Sequence, residues 1–77
     1  MFIDIEVTSG KILDLLDDKG KLNFYEIKST TNAPELLITM SLQWLTEMGF
    51  IIEDIKTKKY AINDLQRTFK REEQMVG

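Results

Sequence analysis

PELLITMSLQWLTEMGF, residues 34–50, is the stretch whose reading decides the fold. Pro34 suits the first turn of a helix, Glu35 sits near its positive end, and Gly49 follows its last turn. At ~100° per residue, Ile38, Leu42 and Leu45 form one stripe. Leu36, Leu37, Met40, Trp44 and Met48 widen the apolar surface to roughly 240° of arc, whereas one core contact needs only ~100°. The helix therefore offers apolar surface beyond what a single core uses. Its size suits a DNA major groove, yet no Lys or Arg occurs from Ser29 to Ile55.

Working outward, Thr30-Thr31-Asn32-Ala33-Pro34 predicts a tight turn before this helix, because Asn tolerates positive φ and the residue before Pro avoids helical angles. Upstream, Asn23-x-x-Glu26 reads as a capping box opening a short second helix that contains Phe24 and Ile27. Lys21-Leu22 reads as a brief strand before it. KILDLLDD predicts a first helix with Ile12, Leu15 and Leu16 on one face, capped by Thr8 or Ser9 and ended by Gly20 in the left-handed conformation. Phe2 to Val7 alternates apolar and acidic residues, which predicts a short N-terminal strand.

Downstream, FIIEDI and KYAI are rich in Phe, Ile and Tyr and flank a polar Lys56–Lys58, a hairpin with a basic tip. Asn63 can cap a last helix over about 64–75, with Leu65 and Phe69 at i, i+4. The expected fold is α+β: a winged helix-turn-helix with a three-helix core, a two-stranded wing, a short N-terminal strand and a C-terminal helix. No linker or internal repeat divides it, so residues 1–77 read as a single domain with its core over about 8–62.

The 77 residues carry no Cys and no His, which removes disulfides, thiolate zinc sites and an imidazole proton shuttle. No Gly-rich phosphate loop or nucleophile elbow is present. An enzyme is not expected, nor a cofactor, nor a metal: Asp14, Asp17 and Asp18 lack calcium-loop spacing and read as a solvated helix end. No apolar run reaches a membrane span and the start lacks signal-peptide features, so a cytoplasmic setting without membrane contact is expected. The net charge of −3 is uneven. Residues 1–49 hold eight acids and four bases, and residues 50–77 hold five acids and six bases.

Gly10-Lys11 opening the first helix, the two capped short helices, Trp44-Leu45 late in the third and the Ile51–Ile62 hairpin resemble the short bacterial winged helix-turn-helix proteins of a domain-of-unknown-function family. The likeness spans about Thr8 to Ile62. It implies the same fold, no settled biochemical role, no catalytic residues and a homodimer. The chain departs from helix-turn-helix proteins near the end of the second helix, where Thr31 stands in place of a core Leu.

The leading functional expectation is a protein-interaction or dimerisation module. Its candidate interface is Leu36, Met40, Trp44, Leu65 and Phe69, with the terminal helix as the element expected to pair in a homodimer. The alternative is a dimeric DNA-binding regulator that uses Thr39 and Gln43 toward bases and Lys56, Lys58 and Lys59 toward phosphates. Trp44 has three readings: core, interface anchor or base-stacking platform, the last at odds with an uncharged helix. Arg67, Lys70 and Arg71 stand near Glu72 and Glu73 and read as a salt-bridged exposed face.

Overall fold

A computed structural model of the chain describes residues 2–63. It is an α+β arrangement of three helices and one three-stranded antiparallel sheet: α1 (Phe2–Lys19), β1 (Leu22–Asn23), α2 (Phe24–Thr31), α3 (Glu35–Glu47), β2 (Ile51–Asp54) and β3 (Lys59–Ile62). β3 lies in the middle, with Leu22 opposite Tyr60 on one side and Ile51 opposite Ile62 on the other. The expected last helix over 64–75, with Leu65 and Phe69, lies outside the described residues.

The N-terminal strand is not there. Residues 2–7 are the first turns of α1, which runs for 18 residues. The physical reason lies in the positions of Ile5, Ser9, Ile12 and Leu16, which recur at helical spacing along one side. Ser9, Ile12 and Leu16 are buried and Ile5 is half-buried. Thr8 and Ser9, expected to cap the helix, are instead buried inside it. Gly10, expected to open it, is exposed at mid-helix. α1 ends where Gly20, at φ 87°, donates its N–H to the Leu16 carbonyl at 2.8 Å.

The second helix starts as its capping box requires. Asn23 Oδ1 accepts from the Glu26 N–H and Glu26 Oε1 accepts from the Asn23 N–H, both at 2.9 Å. Asn23 also pairs with Lys59 in the sheet, so one residue ends β1 and begins α2. Asn23→Ala should cost about 1 kcal/mol, the usual loss for a polar N-cap. Chemical denaturation of the full chain checks it, and a cost near zero would show that the box adds nothing. At the other end Asn32 takes the left-handed conformation (φ 56°), and the Thr31 hydroxyl donates to the Ile27 carbonyl at 2.8 Å. Thr31 thus closes α2 at the place where a core Leu was expected.

The predicted stripe of α3 is the centre of the core. Ile38, Leu42 and Leu45 pack with Ile12 and Leu16 of α1, Ile27 of α2 and Ile51 of β2, all buried. Pro34 sits just before α3, at the N-cap position, one residue earlier than the sequence suggests. At the C-terminal end Gly49 turns the chain at φ 80°. Phe50 then donates its N–H to the Leu45 carbonyl at 2.9 Å, which launches β2 back along the helix.

Two hydroxyls in this interior lack a hydrogen-bond partner among the described residues, Ser9 Oγ and Ser41 Oγ. A buried polar group left unpaired costs about 1–3 kcal/mol, and Ala is also the stronger helix former. Ser41→Ala should therefore raise the thermal midpoint of unfolding. A lower midpoint would mean that the hydroxyl has a partner in solution.

Candidate interaction surface

The outward side of α3 is built by the residues between its core positions. Leu36, Met40 and Trp44, at i, i+4 and i+8, lie along one side of the helix. Leu36 is 65% exposed, Met40 and Trp44 are half-buried, and Met48 just past the helix is 52% exposed. Trp44 leans on Phe50, with ring centroids 6.1 Å apart and an interplanar angle of 39°. Trp44 is thus half-buried, with its ring beside that of Phe50 at the start of the hairpin.

The polar residues of the same side are hydrogen-bonded within the helix, Gln43 to a carboxylate and Thr39 to a backbone carbonyl. Gln43, the one side chain of α3 suited to a bidentate contact with adenine, donates from Nε2 to Glu47 Oε1 at 3.3 Å. The Thr39 hydroxyl donates to the Glu35 carbonyl at 3.0 Å. Glu35 Oε2 stands 3.5 Å from Lys28 Nζ, so the nearest lysine on α2 is paired with an acid. α3 itself carries Glu35 and Glu47 and no base.

Two hollows flank this surface. One, of about 330 Å³, opens between α3 and the sheet, where Phe24 and Tyr60 meet Gln43, Glu47 and Glu53. Burial first, and the Glu53 charge second, push the Tyr60 phenol above its ordinary pKa. The phenol is therefore neutral at neutral pH and the net charge around this hollow is negative. The other, of about 210 Å³, lies between α1 and α3 and is lined by Ile5, Glu6, Met40, Gln43, Trp44 and Glu47.

The hairpin lies where the sequence places it, with Lys56 and Lys58 exposed at its tip and Lys59 half-buried opposite Asp54. The Lys56 N–H donates to Asp54 Oδ1 at 3.0 Å, and Lys58 holds φ 58°. The structure thus gathers Leu36, Met40 and Trp44 on one side of α3 beside Thr39 and Gln43. It puts the lysines on a separate element, and Leu65 and Phe69 lie outside the described residues. Sequence reasoning missed Ile5 and Glu6 as neighbours of Met40 and Trp44, because it assigned them to a strand. Their signal is the four-residue step from Ile5 to Ser9.

Among the described residues no cluster of three or more acids could hold a metal ion, and no helix is long and apolar enough to cross a membrane. Comparison with protein-family models, with curated proteins and with solved structures finds no match to this chain.

Proposed function

We propose that the chain is a winged helix-turn-helix module that works by binding protein, and first of all by self-association. In this reading α2, the turn at 32–34 and α3 are the helix-turn-helix, the β2–β3 hairpin is the wing, and β1 is the strand that often completes such a sheet. Membership in the short bacterial winged-helix proteins that the sequence resembles is part of the same proposal. So is a cytoplasmic setting. No catalytic step is assigned.

One observation carries the proposal: the outward face of α3 joins exposed Leu36 and half-exposed Trp44 to a Gln43–Glu47 pair, with no cation on the helix. A helix that reads bases relies most often on Arg or Lys to guanine, and its phosphate contacts depend on cations. Here Glu35, Glu47 and Glu53 would repel phosphates instead. An apolar face rimmed by carboxylates suits a protein surface, with Trp44 as the kind of side chain that anchors one.

The hairpin favours the second reading, a dimeric DNA-binding regulator. Lys56 and Lys58 reach into solvent and belong to neither the Lys19–Asp18 nor the Lys28–Glu35 ion pair. Titration of the full chain into mixed-sequence duplex DNA at ~50 mM salt separates the two. The protein-binding reading expects no complex. Binding that weakens steeply as salt rises would replace it with the DNA reading.

A further inference from the structure

The hollow between α3 and the sheet holds about 330 Å³, at the lower end of the ~300–1,000 Å³ of ordinary small-molecule pockets. Elements far apart in sequence build it. Phe24 comes from the start of α2, Leu42, Gln43 and Glu47 from α3, Glu53 from β2 and Tyr60 from β3. Leu42 is buried and Phe24 and Tyr60 are half-buried, while Glu47 and Glu53 are exposed. The covered part of the lining is therefore apolar and aromatic, and the part open to solvent carries carboxylates.

The hydrogen bonds already made decide what the hollow can receive. A hydroxyl has one hydrogen to give and two lone pairs. Thr39 gives its hydrogen to the Glu35 carbonyl at 3.0 Å and Thr46 gives its own to the Leu42 carbonyl at 2.7 Å, which leaves both as acceptors on the lining. Gln43 commits one amide hydrogen to Glu47. The side-chain donors that remain are the other Gln43 hydrogen and the Tyr60 phenol, against oxygens of Thr39, Gln43, Thr46, Glu47 and Glu53. No Lys or Arg is among the described lining residues. A matching ligand brings donors, positive charge and an apolar part, and aromatic rings add their own attraction for cations. An anion meets the wrong sign of charge, and a neutral apolar molecule forgoes the carboxylates.

We propose that this hollow is a binding site for a small organic cation, an ammonium or guanidinium group on a short apolar stem, with the stem against Phe24, Leu42 and Tyr60 and the head toward Glu47 and Glu53. Two sources carry that chemistry: a free amine or guanidine, and a lysine or arginine side chain of another protein. The lining does not include Leu36, Met40 or Trp44. Filling the hollow thus leaves the apolar side of α3 open, and the proposal stands whether or not the chain self-associates.

The probe is n-butylammonium, the lysine side chain without its backbone, titrated into the full chain at constant ionic strength. It is expected to move the NMR resonances of Gln43, Glu47, Glu53 and Tyr60 and to saturate with a dissociation constant on the order of 10 mM, in keeping with so few atoms. 1-Butanol has the same stem without the charge, and butyrate has the opposite charge. Both should bind about threefold or more weakly than the ammonium, the effect of two exposed charge contacts. Glu47→Gln with Glu53→Gln, at exposed positions, should lower the affinity for butylammonium by a similar factor. A blocked lysine amide, with the same ammonium on a peptide backbone, assigns the source: tighter binding than butylammonium marks a protein side chain, and weaker binding marks a free amine. The proposal is overturned by an absence of saturable shifts below ~100 mM, by equal binding of 1-butanol, or by an unchanged affinity in the double variant with far-UV circular dichroism intact. The wild-type arms decide it even where the double variant does not fold.

Discussion

Leu45→Ala should destabilise the full chain by about 2–5 kcal/mol, the range for truncating a fully buried leucine. Leu45 has no exposed surface and packs in the cluster that joins α3 to α1, α2 and β2. Its carbonyl also receives the Phe50 N–H that sets the start of β2, so collapse around the missing side chain would pull on the entry to the hairpin. A small domain has only about 5–15 kcal/mol to lose, and one of this length lies toward the low end. The variant should therefore lose a large share of its stability, read as a lower denaturation midpoint at unchanged slope. A loss under about 0.5 kcal/mol, the size of an ordinary surface change, would mean that the buried and outward faces of α3 are exchanged.

Leu36→Glu should have the opposite profile, with folding preserved and assembly lost. Leu36 is 65% exposed, so the folded monomer gives up little by the change. In a twofold dimer each substitution occurs twice. Burying a leucine contributes about 1.5–3 kcal/mol, so two lost contacts amount to about 3–6 kcal/mol and at least a 100-fold rise in dissociation constant. An introduced carboxylate would also have to be desolvated in the interface, which weakens assembly in the same direction. Sedimentation velocity with parallel circular dichroism checks both halves. A dimer that survives Leu36→Glu would move the interface elsewhere, with Val7, Tyr25, Met48, Ile52 and Ile55 as the other large apolar side chains exposed among the described residues.

The signals that were legible are short-range ones. Asn23 and Glu26 are three residues apart, and a capping box needs nothing beyond them. Gly20, Asn32 and Gly49 mark reversals because few residues accept their positive φ. The stripe of Ile38, Leu42 and Leu45 is visible because all three are strongly apolar. The start of α1 was hidden for a related reason. Ile3, Ile5 and Val7 alternate like a strand over six residues, while the helical stripe that includes Ile5 continues through Thr8 and Ser9, small polar residues buried by packing. An apolar pattern cannot register a position whose burial is decided by a neighbouring helix.

The candidate surface was legible as a list and not as a place. Leu36, Met40 and Trp44 share a side of α3 by helical spacing alone, and Gln43 with Glu47 is an i, i+4 pair. That Trp44 turns toward Phe50 depends on the reversal at Gly49. That it also borders Ile5 and Glu6 depends on α1 crossing α3, which no local spacing encodes. The absence of cations on α3 needed no structure, and it is the feature that most sharply separates the protein-binding reading from the DNA-binding one.

Sedimentation equilibrium of the full wild-type chain between about 1 and 100 μM tests the central claim most directly, because association weaker than ~100 μM corresponds to less than about 5.5 kcal/mol. Self-association through the outward side of α3 predicts a weight-average mass that climbs from the monomer's 9.0 kDa toward twice that value across the range. A mass that stays at 9.0 kDa up to the highest concentration would contradict it.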